Sequence, residues 1–142
     1  MSARKAPFAL RILRRVLLPA IVAGVLSNLA VYHMLGAEGA LTDWKSTGVM
    51  AAIALVGLLT GGWIALRIAE RLPLPAAGRL VLFAAAGIVT GGLLALAIAN
   101  MIVDEGQLGY MKYGLAAGAV GGLVWILINF DLAAAPGNRR LS

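Results

Sequence analysis

Four long runs of apolar residues alternate with short polar connections along this chain. The runs cover residues 16–35, 48–66, 80–103 and 113–130, and none of them contains Asp, Glu, Lys or Arg. A helix needs about 20 apolar residues to cross about 30 Å of hydrocarbon, so each run can cross once. The pattern predicts an all-α integral membrane protein with four transmembrane helices in a compact bundle.

Composition agrees with a membrane protein. The chain is 61% hydrophobic and 13% charged, with a mean hydropathy of +0.92, whereas soluble domains are about 45–50% apolar and about 25% charged. The first apolar run follows a basic start, but it exceeds the usual 7–15 residues of a signal-peptide core, so we expect it to remain as the first helix. The absence of cysteine excludes disulfides and thiolate chemistry.

The basic residues are concentrated at three places in the chain. They precede the first run, lie in the connection 67–79, and occur at the C-terminal end, whereas the other two connections hold one lysine each. This distribution predicts that both termini and the middle connection are cytoplasmic, in a multi-pass protein of the bacterial inner membrane. It also accounts for the net charge of +6 without nucleic-acid binding.

Three regions follow from this pattern. Residues 1–15 are predicted to be a cytoplasmic basic amphipathic segment, residues 16–131 the four-helix transmembrane domain, and residues 132–142 a cytoplasmic basic tail. Arginines of the first region are expected to lie at the membrane surface, either as a topology signal or as a lipid-docking element. These arginines are Arg11, Arg14 and Arg15.

The chain also divides into two hairpins with similar outer loops. A Leu-Pro-Leu-Pro segment at residues 72–75 separates the second and third runs and favours a break between helices. The outer loops "EGALTDWK" (38–45) and "EGQLGYMK" (105–112) share Glu, Gly, Leu and Lys in one register. A weak internal repeat is therefore one reading of the sequence, and chance similarity is the other.

Glycines recur at four-residue spacing inside the runs, where they would weaken a helix in water. Lipid supplies no hydrophobic force between helices, so rows of small residues stabilise association by letting backbones approach closely. The sequence therefore predicts helix contact surfaces, within one chain or between subunits. The predicted packing residues are Gly24, Gly57, Gly61, Gly87, Gly91, Gly114, Gly118 and Gly122. On the fourth helix, bulky residues such as Ile126 are predicted to face lipid.

Polar residues inside the runs are the remaining candidates for chemistry. Asn28, Thr60, Thr90 and Asn100 could line a narrow polar path, or they could form hydrogen bonds between and within helices. His33, the only histidine, could be a haem ligand or an interfacial residue beside Tyr32. We predict no catalytic residues, no metal site and no cofactor.

Three functional hypotheses remain open. The first is a small non-enzymatic accessory or assembly subunit that associates through its glycine-rich faces, either as a homo-oligomer or with a larger membrane-protein partner. The second is a small oligomeric channel or facilitator for an ion or small solute. The third is a cofactor-holding membrane subunit of a respiratory assembly. All three have the lipid bilayer as their environment.

Overall fold

Four long helices make up almost all of the chain that the structure describes. The computed structural model describes residue 10 and residues 12–129, of which 86% are helical and none is in a strand. The helices are α1 (Leu13–Leu35), α2 (Trp44–Arg71), α3 (Ala76–Ile102) and α4 (Gln107–Ile128). Each is long and apolar enough to cross a membrane, so the predicted all-α class with four such helices is confirmed.

The helices begin and end at turn and capping residues rather than at the limits of the apolar runs. The Asp43 carboxylate accepts a hydrogen bond from the Ser46 amide at 3.0 Å, which starts α2 four residues before its apolar run. Gly36 ends α1 in a left-handed conformation with φ +65°. Leu72 is extended before Pro73, which ends α2.

Two of the helices contain a π turn. One covers Leu13–Leu17 at the start of α1, and the other covers Leu58–Gly62 in the middle of α2. The predicted surface segment 1–15 overlaps α1, because residues 13–15 belong to the π turn at its start. Residues 1–9 and Arg11 lie outside the described part of the chain.

The helices pack as an antiparallel ring in chain order. α1 lies between α2 and α4, α3 lies between the same two helices, and the α3–α4 contact is the most extensive. The connections 36–43 and 103–106 lie at one end of the bundle, here called the two-loop end. The connection 72–75, the start of α1 and the end of α4 lie at the other, here called the single-loop end.

Buried apolar side chains are concentrated toward the single-loop end. Phe83 stacks on Trp125 with ring centroids 4.8 Å apart, and Ala65, Ala69 and Ile126 complete the cluster. The prediction that Ile126 faces lipid is wrong, because its side chain has no exposed surface. Toward the two-loop end, by contrast, no residue of Trp44–Gly57 is buried.

Candidate functional site

The glycines of α3 and α4 face each other within a single chain. A Cβ atom built on Gly87 would overlap the carbonyl oxygen of Gly118, and one built on Gly91 would overlap that of Gly114. The relationship is reciprocal, because a Cβ atom on Gly118 would meet the carbonyl of Gly87. The two backbones are therefore in direct contact. The predicted packing residues at this contact are Gly87, Gly91, Gly114, Gly118 and Gly122.

The three other predicted packing glycines lie on α1 and α2. A Cβ atom on Gly24 would come within 2.6 Å of the Ala51 Cα atom, so α1 and α2 touch there. Gly61 faces the Thr90 side chain at a similarly close contact. Gly57 is different, because its nearest neighbours would be Thr90 Cγ2 at 3.8 Å and a Leu94 methyl at 3.9 Å, which is ordinary van der Waals separation.

Asn28 is the centre of a hydrogen-bonded cluster that joins α1 to the start of α2. Its amide nitrogen donates to the Ala40 carbonyl at 2.9 Å and to Thr47 Oγ1 at 3.1 Å. Its amide oxygen accepts from the Ser46 hydroxyl at 2.7 Å. Asn28 is 1% exposed, so these bonds satisfy an amide that would otherwise be costly to bury. The cluster holds the connection 36–43 against the bundle.

Asp43 extends this cluster toward the surface. Its carboxylate accepts a hydrogen bond from the Tyr32 hydroxyl at 2.6 Å and another from the Ser46 backbone amide. These two donors, the tyrosine hydroxyl first, lower the pKa of the Asp43 carboxyl below its ordinary value. The charged carboxylate therefore ties the end of α1 to the beginning of α2.

The four candidate lining residues do not converge. Asn28 lies in the loop cluster, and Thr60 and Asn100 are exposed on the outside of the bundle. Thr60 donates its hydroxyl to the Val56 carbonyl at 2.8 Å, and Thr90 donates to the Ala86 carbonyl at 2.7 Å, so both bond to their own helices. Of the four, Thr90 borders the interior cavity.

An apolar cavity lies between the four helices. Its volume is about 420 Å³, and it extends along the bundle from Phe83 and Trp125 toward Ile102 and Tyr110 at the two-loop end. All four helices contribute to its wall, which includes Val31, Ile53, Leu94, Ile98 and Ala117. The hydroxyl of Ser27, also on the wall, donates to the Ala117 carbonyl at 3.1 Å. The interior is therefore large, elongated and almost without free polar groups.

A polar junction joins α1 and α4 at the single-loop end. The Trp125 indole nitrogen donates to the Arg15 carbonyl at 3.0 Å, and the Asn129 amide approaches the same oxygen at 3.4 Å. Arg15 belongs to the first π turn, where the regular helical ladder is interrupted. The side chains of Arg14 and Arg15 are exposed, as a role at the membrane surface requires.

Titratable groups are dispersed in the described part of the chain. Residue 10 and residues 12–129 contain no group of three or more His, Asp or Glu side chains that could hold a metal ion. His33 is exposed on the last turn of α1 and borders a shallow depression with Tyr32 and Glu38. The hypothesis that His33 is a haem ligand stays a prediction. The cavity between the four helices is the better-defined candidate site.

Comparisons of the chain with protein-family models, with curated proteins and with solved structures found no match.

Proposed function

We propose that this protein is a non-enzymatic multi-pass membrane protein that binds a hydrocarbon chain in the cavity between its helices. The observation that carries the proposal is the apolar cavity of about 420 Å³ bounded by all four helices. Ligand pockets have volumes of about 300–1,000 Å³, and helical bundles build such sites between facing helices.

Packing energetics favour an occupied cavity. Side chains that line an unfilled space lose van der Waals contacts, so an occupant that fills the space stabilises the bundle. Water is a poor occupant because apolar cavities stay dry. A hydrocarbon chain would restore the missing contacts.

The polarity of the wall supports the same class of ligand. The hydroxyls of Ser27 and Thr90 are already bonded to backbone carbonyls, so they offer little to a polar solute. Asn28, Thr60 and Asn100 lie away from the wall. This placement favours a hydrocarbon occupant over the polar channel that the sequence suggested.

Photo-cross-linking with a fatty acid that carries a diazirine on its chain tests the proposal. We expect cross-links on cavity residues, and we expect Ala54→Phe to reduce them because Ala54 borders the cavity. Ala85→Phe is the matched control, because Ala85 is exposed on the outside of α3 and does not border the cavity. Cross-links confined to the outer surface, or an equal effect of both variants, would count against the proposal.

An accessory or assembly role is a second proposal, supported by a different surface. The glycine faces that suggested it lie against each other within one chain, so association would use another face. Gly48 and Ala52 are exposed four residues apart on α2, and a Cβ atom on Gly48 would meet nothing within 4 Å. A second copy or a larger membrane protein could pack on this pair. Loss of co-purifying protein in Gly48→Leu, but not in Val81→Leu, is the expected result.

The exposed arginines also bear on the location and orientation of the protein in the membrane. We propose that the single-loop end faces the cytoplasm of a bacterial inner membrane. Its arginines support this orientation, because basic residues are retained on the cytoplasmic side. The exposed ones in the described part of the chain are Arg14, Arg15, Arg67 and Arg71.

A further inference from the structure

Three of the four seams around the cavity are closed by close contacts. The α3–α4 seam is closed by Gly91 against Gly114, where the backbones touch. The α1–α4 seam is closed by the hydrogen bond from Ser27 to the Ala117 carbonyl. The α1–α2 seam is closed by Gly24 against the backbone of Ala51. The fourth seam, between α2 and α3, has the least contact of the four and is therefore the side on which a ligand can enter most easily.

The α2–α3 seam changes character along its length. Toward the single-loop end it is tight, because Gly61 meets Thr90 and Ala65 packs in the core cluster with Phe83. Toward the two-loop end it is loose, because Trp44–Gly57 contacts α3 much less than it contacts α1 and has no buried residue. The second π turn, Leu58–Gly62, lies at the transition.

Both sides of the loose part of the seam border the cavity. Met50, Ile53 and Ala54 contribute from α2, and Leu94 and Ile98 contribute from α3. The adjoining outer surface is also apolar. Val49 is 59% exposed and Leu93 is 59% exposed, as expected of side chains in contact with lipid. An apolar path therefore joins the cavity to the hydrocarbon layer.

We propose that the gap between Trp44–Gly57 and residues 90–102 is a lateral portal through which an acyl chain of a membrane lipid enters the cavity. The inference rests on the proposed function and adds the source and the route of the ligand. The occupant is a lipid chain because the portal opens onto the hydrocarbon-facing surface of the helices and has apolar walls. The π turn marks where α2 can bend, since such turns interrupt the regular helical ladder.

A reversible disulfide across the base of the portal tests this route. A Cβ atom on Gly57 would lie 3.8 Å from Thr90 Cγ2, so cysteine side chains at the two positions would face each other across the seam. The paired variant Gly57→Cys with Thr90→Cys therefore suits this position, and the natural chain has no cysteine to interfere. The oxidised pair would prevent the two helices from separating.

The measurement is the rate at which a phosphatidylcholine with a diazirine-labelled acyl chain becomes cross-linkable to the protein after addition of vesicles of that lipid. We expect the oxidised pair to load about tenfold more slowly, a barrier increase of ~1.4 kcal/mol, and reduction to restore the rate. Each single cysteine variant under the same oxidant is the control. If the disulfide does not form, Ala54→Cys and Ile98→Cys joined by a bis-maleimide with a disulfide in its spacer, which reductant cleaves, give the same comparison.

The outcomes separate the two proposals. Equal loading rates for the oxidised and reduced pair would overturn the lateral portal and leave the binding cavity intact. Failure of both the natural chain and the reduced pair to cross-link at cavity residues would overturn the proposed function itself. Slow loading that reduction reverses supports both.

Discussion

Gly118 and Gly121 lie three residues apart on α4 but leave very different space for a methyl group. A Cβ atom on Gly118 would overlap the Gly87 carbonyl, whereas one on Gly121 would meet only the Ala23 methyl at 4.0 Å. We expect Gly118→Ala to lower the free energy of unfolding by about 1–3 kcal/mol, the usual cost of overpacking. Gly121→Ala is expected to change it by less than about 0.5 kcal/mol. Thermal unfolding of both variants in one detergent checks this, and equal losses would contradict the backbone contact.

Asp43 makes the stability of the two-loop end depend on pH. Its pKa is lowered in the folded protein by the Tyr32 hydroxyl and the Ser46 amide. The stabilisation is therefore complete above the ordinary carboxyl pKa of about 3.9 and is lost as pH falls through the lower folded-state pKa. Asp43→Asn keeps a hydrogen-bond acceptor but has no charge to titrate.

A comparison of the natural chain with Asp43→Asn across pH isolates the effect of the Asp43 charge on stability. We expect the natural chain to have the higher unfolding temperature at neutral pH and the difference to disappear in acid. A difference that stays constant from neutral to strongly acidic pH would show that the Asp43 charge does not contribute.

At the scale of residues, the sequence indicated which positions make contacts more reliably than it indicated the residues that they contact. Glycines of α3 and α4 at four-residue spacing lie in close backbone contact, but such spacing does not specify whether the facing helix belongs to the same chain. Asn28 illustrates the same limit. Its apolar surroundings indicated that its amide needs partners, yet these come from a loop and a helix start whose positions depend on the folded bundle.

At the scale of helices, length and hydropathy were sufficient to predict four membrane-length elements. Their ends were harder to predict, because the apolar runs exclude polar flanks such as residues 44–47, which belong to α2. The π turns had no recognisable signal. At the first one, the Trp125 indole donates to the Arg15 carbonyl, and this distant partner cannot be predicted from the local sequence.

The polar junction between α1 and α4 can be tested by a substitution of Trp125. Trp125→Phe removes the hydrogen bond to Arg15 but keeps a ring that can stack on Phe83. We expect a loss of about 1 kcal/mol in the free energy of unfolding, which is typical of one neutral hydrogen bond. Trp63→Phe is the control, because Trp63 is 57% exposed and its ring contacts the Arg67 guanidinium at the surface. A larger loss in the control would mean that aromatic size, rather than the hydrogen bond, determines stability.

For the molecule as a whole, packing is uneven along the bundle axis. The aromatic cluster of Phe83 and Trp125 closes the single-loop end, whereas the half that contains Trp44–Gly57 borders a cavity. A sequence does not reveal this difference, because a cavity exists only in the relative positions of several helices. The proposed binding function follows from that tertiary feature.

The same asymmetry extends to charge and gives an orientation that labelling can measure. Arginines such as Arg67 and Arg71 lie at the single-loop end, and translocating them would be unfavourable, so we expect that end inside the cell. Because the natural chain lacks cysteine, single cysteines report without background. Ala37→Cys in the first outer loop should react with a membrane-impermeant maleimide on intact cells, whereas Ala77→Cys should react only after permeabilisation. Both residues are exposed, so a reversed pattern would reflect topology rather than burial and would overturn the proposed orientation.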